Sequence, residues 1–108
     1  MFPVPLKYNL CVLTSLSIAI IHLLLLQYWQ QEYDYNYRHW RGEIATFRVQ
    51  INKIMTTNLE NYLSEELENI YQDAVYIVTE KTGLDQSVFS ENSCYSLLQL
   101  LDKNWLPR

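Results

Sequence analysis

An uninterrupted apolar run near the beginning of the chain limits its possible folds more than any other feature. No charged side chain occurs between Tyr8 and Gln31, and residues 10–29 are almost entirely apolar, whereas all 12 acidic residues come after position 31. As a helix, this run spans about 30 Å at about 1.5 Å per residue, which matches the hydrocarbon core of a bilayer. The run therefore predicts a single transmembrane helix over 10–29, preceded by a short tail over 1–9.

Aromatic side chains cluster at the end of this run and just beyond it. They are Tyr28, Trp29, Tyr33, Tyr35, Tyr37 and Trp40. Because amphipathic aromatic rings prefer the headgroup depth of a bilayer, we interpret residues 30–42 as a juxtamembrane collar. Basic residues do not decide the orientation of the predicted membrane helix, since Lys7 precedes it while Arg38 and Arg41 follow it.

Three residues inside the run are candidates for contact with another membrane helix. Ser15 and Ala19 are small residues four positions apart, a spacing that lets two membrane helices approach closely. His22 is the one ionisable side chain of the run, and such residues usually face protein rather than lipid. The three residues therefore predict a packing face on the membrane helix.

A cleaved signal peptide is an alternative interpretation of the same run. The run is longer than the usual signal core of about 7–15 residues, and the residues after Leu26 are not the small ones that a signal peptidase needs. Cleavage would release a secreted helical binding protein. A viral component anchored in a host membrane is a further alternative.

Beyond Gly42, apolar residues recur at helical spacing and predict one long amphipathic helix over 43–81. Its two apolar stripes contain Ile44, Phe47, Ile51, Ile54, Leu63, Leu67, Ile70 and Ile77. The stripes differ in phase around Asn58, which resembles the stutter of a coiled coil. Gly83 is suited to a left-handed cap at the end of this helix.

The remaining residues predict a turn and one more helix. Residues 82–92 form the turn, and residues 93–106 form a short helix that Ser93 caps and Pro107 stops. The predicted fold class is therefore all-α: a single N-terminal transmembrane helix, a long amphipathic, coiled-coil-like helix and a short C-terminal helix.

The two stripes predict binding to other membrane protein subunits, because one short helix is too small to cover them. Eight acidic residues lie between Glu60 and Glu91, against the single base Lys81. Two copies would bring these acidic faces together, which favours a hetero-oligomer over a homodimer. In a homodimer, Asn58 at a core position would fix the register.

The sequence contains no recognisable catalytic, cofactor-binding or metal-binding motif. HExxH, CxxC, GxGxxG and the phosphate loop are absent, and neither His22 nor His39 has a nucleophile beside it. Scattered bases and a net charge of −4 argue against nucleic acid as a partner. We therefore expect a non-enzymatic, single-pass integral membrane protein without a cofactor. It would contact the lipid bilayer and act through helix–helix contacts as an accessory or assembly subunit of a larger membrane complex.

Overall fold

The computed structural model describes residues 6–29 and 32–107; it describes side chains from Val12 onward, apart from that of Tyr33. The helices of these ranges are α1 (Leu6–Tyr28), α2 (Tyr33–Ile54), α3 (Thr57–Thr82) and α4 (Leu97–Leu101), with a short 3₁₀ turn at Gln86–Val88. All regular structure in the described ranges is helical, which confirms the all-α prediction. Of the predicted tail over 1–9, residues 1–5 lie outside the described residues and residues 6–9 belong to α1.

The apolar run forms the central helix of the fold, because α1 packs along both α2 and α3. Its buried side chains are Val12, Leu16, Ala19, Ile20, Ile21, Leu23, Leu24, Leu25 and Leu26. Residues 23–25 are buried in succession, so protein surrounds this turn of the helix on every side. A helix that is apolar all round must be enclosed by lipid or by protein, and here protein encloses it.

The prediction of a transmembrane helix over 10–29 is therefore wrong, and so are the integral membrane localisation and the single-pass topology that follow from it. Within the described ranges, no helix combines the length and the apolar character that crossing a bilayer demands. The sequence misleads because lipid and a protein interior require the same helix surface, apolar on every side. The composition of the run alone does not distinguish the two environments.

The apolar stripes of the middle of the chain cover α1. On α2, the side chains of Ile44, Phe47 and Ile51 are buried, and on α3 those of Leu63 and Ile70 are buried as well. These residues belong to the same hydrophobic core as α1. The apolar stripes are thus largely covered by α1 within the same chain.

Two helices occupy the region in which the sequence predicts one helix over 43–81. α2 ends at Ile54, Met55 is extended, and Thr56 begins the next helix by accepting a hydrogen bond from the backbone N–H of Leu59 at 3.1 Å. A threonine in this position satisfies one of the free N–H groups of a helix start. The change of phase near Asn58 therefore marks a break between two helices and not a stutter in one.

α3 ends as the sequence predicts. Gly83 has a φ of 75°, the left-handed conformation that glycine adopts without steric cost, and its N–H donates to the carbonyl of Thr79 at 2.9 Å.

The last helix is shorter than the predicted helix over 93–106. The side chain of Ser96, not Ser93, begins α4 by accepting from the N–H of Gln99 at 3.1 Å, while the Gln99 side chain accepts from the N–H of Ser96 at 2.9 Å. This reciprocal pair is a capping box. The hydroxyl of Ser93 instead donates to the carbonyl of Tyr95 at 2.7 Å.

The residues of the predicted aromatic collar pack within the fold, which corrects their assignment to a bilayer surface. The Trp29 and Trp40 rings stack at 5.9 Å between centroids, and Trp40 is buried. The Tyr28 ring meets the edge of Phe89 at 4.9 Å, and Tyr37 packs partly buried against the core. Of the other two residues, Tyr35 is exposed, and the side chain of Tyr33 lies outside the described residues. From Tyr33 onward the predicted collar region belongs to α2.

Replacing Leu16 on α1 by alanine tests whether α1 is the core of the fold. Leu16 is fully buried, so we expect Leu16→Ala to lower the free energy of unfolding by about 2–5 kcal/mol, measured by denaturant titration. The milder Ile20→Val should cost about 0.5–1.5 kcal/mol. Leu98→Ala is the matched control, because Leu98 is 75% exposed. If Leu16→Ala costs no more than this control, α1 is not the core.

Candidate functional site

A long apolar groove lies between α1 and α3. Its volume is about 620 Å³, and two segments line it, Leu13–Ile21 on α1 and Glu66–Ile77 on α3. The apolar lining consists of Leu13, Ile18, Ile21, Ile70, Tyr76 and Ile77. Three of these side chains remain partly open to solvent, since Ile18 is 37%, Ile77 is 38% and Tyr76 is 66% exposed. The groove is therefore an open apolar surface on an otherwise packed pair of helices.

The polar lining of the groove is acidic. Glu66 and Asp73 lie along its α3 side, and neither lysine nor arginine lines it. Asn69 lies between them and donates to the Glu66 carboxylate at 3.5 Å. On the α1 side the polar groups are the hydroxyls of Thr14 and Ser17. The groove thus combines an apolar floor with negative charge along one side.

The residues of the predicted partner-binding stripe differ in their burial. The buried members contribute to the core of the chain, which corrects their assignment to an exposed face, although Ile70 also lines the groove. They are Ile44, Phe47, Ile51, Leu63 and Ile70. Leu67 is partly buried against the core, and Ile54 and Ile77 are exposed. Of the eight residues, Ile70 and Ile77 line the groove.

The predicted packing face of α1 meets other parts of the same chain. Ala19 is buried in the core and Ser15 is half-buried. The imidazole of His22 hydrogen-bonds through Nδ1 to the carbonyl of Ile18 at 2.7 Å, so Nδ1 carries the proton. Its ring meets the edge of the His39 ring on α2 at 5.8 Å between centroids. His22 thus lies at the contact between α1 and α2.

The surroundings of His22 favour its neutral form. Burial lowers the pKa of His22 below its ordinary value of about 6.5, and the nearby His39 and Lys81 act in the same direction. The hydrogen bond to Ile18 and the carboxylate of Glu43 oppose this shift without cancelling it. Protonation of His22 is therefore less favourable in the folded chain than in the unfolded chain.

Phenol side chains gather at the end of α1. The Tyr95 hydroxyl donates to Oε1 of Gln27 at 2.8 Å, and Nε2 of Gln27 donates to the Tyr28 hydroxyl at 3.4 Å. On α3, the Tyr71 hydroxyl donates to the carbonyl of Ser90 at 2.9 Å. These bonds connect the segment after α3 to α1 and α3.

Tyr71 and Tyr95 are the hydrogen-bond donors of this cluster. Burial raises the pKa of Tyr71 and of Tyr95, and the neighbouring Cys94 thiol raises both further. A phenol with a raised pKa keeps its proton at neutral pH, whereas general acid–base catalysis needs a group whose pKa is near the working pH. We therefore assign the cluster to holding the C-terminal segment in place.

Arg48 is the buried cation of α2, with 3% of its surface exposed. Its Nε donates to the carbonyl of Leu100 at 2.9 Å, and its Nη2 donates to the carbonyl of Gln99 at 3.1 Å. The Gln99 carbonyl also accepts from the N–H of Asp102 at 3.3 Å, so Arg48 adds to the local hydrogen bonds at the end of α4.

Arg48 and Tyr71 are buried polar side chains that donate hydrogen bonds to distant carbonyls, and neither is among the sites that the sequence predicts. Each has a signal in the sequence, because each lies on an apolar face. Arg48 follows Ile44 by four positions, and Tyr71 follows Leu67 by four. A polar side chain in phase with an apolar stripe is expected to be buried and hydrogen-bonded.

The described side chains contain no group of three histidine, cysteine, aspartate or glutamate residues placed to hold a metal ion.

A family model described as "Domain of unknown function DUF29" matches residues 10–106 of the chain. No curated protein matches the chain, and no solved structure matches it.

The lowered pKa of His22 makes the stability of the chain depend on pH. Between the folded pKa and the unfolded value of about 6.5, the unfolded chain binds more protons, so stability rises with pH. We expect the free energy of unfolding, measured by denaturant titration, to fall as the pH drops through about 6.5 to the lower, folded pKa.

The variant His22→Gln isolates the contribution of His22 to this pH dependence, because the variant and the unsubstituted chain have the same carboxylates. We expect its stability to decline less than that of the unsubstituted chain over the same pH interval. An equal decline in the two chains would mean that His22 is not the group responsible.

Proposed function

We propose that this chain, which belongs to the family described as Domain of unknown function DUF29, is a non-enzymatic helical binding module. In this proposal the groove between α1 and α3 binds one amphipathic helix of a partner protein. The observation that carries the proposal is the open apolar floor of about 620 Å³ beside acidic side chains. The partner would be a different protein, and the chain would act as an accessory subunit in the resulting assembly.

The dimensions of the groove favour a helix as the occupant. Along α3 the lining runs from Glu66 to Ile77, which corresponds to about 16 Å at about 1.5 Å per residue. Three turns of a partner helix have this length and place apolar side chains at positions i, i+3 or i+4, and i+7 on one face. Such a face would cover the exposed parts of Ile18 and Ile77.

The charge of the groove favours a partner with basic flanks. Glu66 and Asp73 would lie beside the bound helix, where Lys or Arg side chains complement them. A second copy of this chain is disfavoured, because it would bring the same carboxylates to the same interface and because the chain has a net charge of −4. A hetero-oligomer therefore remains preferable to a homodimer.

Synthetic helical peptides test the proposed occupant directly. We would use two peptides of about 18 residues, roughly five helical turns, that share one apolar face and differ only in Lys or Glu flanks. The Lys-flanked peptide is expected to bind the full chain in fluorescence anisotropy, and the double variant Ile18→Asp, Ile77→Asp should weaken its binding at least about tenfold. Leu98→Asp adds one negative charge, half of that in the double variant, on α4 away from the groove and should leave the affinity unchanged.

A pair of charge variants tests the acidic side of the groove. Glu66→Gln with Asp73→Asn removes two charges that line the groove, whereas Glu60→Gln with Glu80→Gln removes two exposed charges of α3 outside it. We expect the first pair alone to reduce the affinity for the Lys-flanked peptide and its dependence on salt.

Three results would contradict the proposal. Equal affinity for the Lys-flanked and Glu-flanked peptides would show that charge does not contribute to binding. Unchanged binding by the Ile18 and Ile77 double variant would show that the peptide does not bind in the groove. Dimerisation of the chain in sedimentation experiments, if the same double variant abolishes it, would show that a second copy of the chain occupies the groove instead of a partner helix.

A further inference from the structure

Arg48 carries a buried charge without an ion pair. Burial lowers the pKa of its guanidinium, and the carboxylate of Asp102, which forms no ion pair with it, opposes this shift. No carboxylate in the described part of the chain forms an ion pair with its guanidinium, whose two hydrogen bonds go to the carbonyls of Leu100 and Gln99. A guanidinium has five N–H donors, so this capping role leaves most of them available. Removing such a charge from water is costly unless an anion or several acceptors compensate it.

A cleft beside Arg48 brings further positive charge to the same place. The cleft has a volume of about 160 Å³, and Arg41, Arg48 and Lys103 supply its charged groups. Its remaining lining is apolar and consists of Ile44, Ala45, Val49 and Leu106. No acidic side chain lines it, although the chain has 12 acidic residues and only eight lysines and arginines. Three of those eight bases therefore surround one small cleft.

The positions of the three bases follow from the fold. Arg41 and Arg48 are seven positions apart on α2, so they lie on the same face two turns apart. Lys103 comes from the segment that follows α4, which Arg48 attaches to α2 through the carbonyls at the end of α4. Two separate parts of the chain thus contribute to the cleft, and like charges repel one another there.

We propose that the cleft between α2 and the segment after α4 binds one oxyanion group, a phosphate or a carboxylate, between Arg41, Arg48 and Lys103. The volume has room for about five water molecules at about 30 Å³ each, which suits a group of this size. Guanidinium groups pair with the planar oxygen pairs of carboxylates and phosphates, and the lysine adds a mobile positive charge. This site is separate from the α1–α3 groove.

Thermal unfolding of the full chain in inorganic phosphate, and separately in acetate, tests this proposal. Sodium chloride at equal ionic strength corrects for screening. We expect a saturable rise in Tm with at least one of the two anions, since a ligand that binds the folded state stabilises it. Phosphate acting at lower concentration than acetate would identify a phosphate site, and the reverse order a carboxylate site.

Two double variants with the same change in charge locate the effect. Arg41→Gln with Lys103→Gln removes two bases of the cleft and keeps Arg48, and we expect it to abolish the saturable rise. Arg38→Gln with Lys53→Gln removes two exposed bases of α2 outside the cleft and should preserve the rise.

Unfolding without added anion separates binding from a merely structural role. If Arg41 and Lys103 only stabilised the fold, their removal would lower the Tm; in a site of repelling like charges, the Tm stays unchanged or rises. Equal anion responses of the two double variants would overturn the proposal. A rise in Tm that sodium chloride reproduces, or no rise with either anion, would overturn it as well.

Discussion

The other features of this structure depend on the burial of α1. This helix has apolar side chains in every direction, and Leu23, Leu24 and Leu25 have almost no exposed surface. Burying one leucine side chain contributes about 1.5–3 kcal/mol. The net stability of a folded domain is only about 5–15 kcal/mol, so the loss of a few such buried side chains would remove a large part of it. α2 and α3 are held in place because their apolar stripes enclose this helix.

Enclosure by two helices also explains where an open surface remains. The α1–α3 groove leaves Ile18 and Ile77 partly exposed beside Glu66 and Asp73. Polar contacts fix the rest of the chain at the ends of the bundle: Tyr95 bonds to Gln27 of α1, and Arg48 of α2 donates to the last carbonyls of α4. The apolar groove lies between α1 and α3 and the basic cleft between α2 and the segment after α4, and the two sites have opposite charges.

Local features of the fold could be predicted from the sequence. The end of α3 at Gly83 follows from the glycine's position after the last apolar residues, and the helical stripes follow from residue spacing. The phase change near Asn58 indicates the right place, but the capping role of Thr56 makes it a break between helices. Such signals are local because they involve residues a few positions apart.

Long-range features could not be predicted in this way. An apolar run of this length predicts a membrane helix, and its place in a protein core becomes evident only from the packing of α2 and α3 on it. The bond between Arg48 and Leu100 joins residues 52 positions apart. The acidic character of α3 was visible in the sequence, whereas the groove beside it appears only once α1 lies against α3.

Hydrogen exchange in increasing denaturant tests most directly whether α1 is the shared core of α2 and α3. If one core holds the three helices, their most protected amides exchange through the same global unfolding. Their opening free energies should then converge and fall with the same denaturant slope. Amides of α1 that stay protected after those of α2 and α3 have exchanged, or that exchange well before them, would show that α1 is an independent helix.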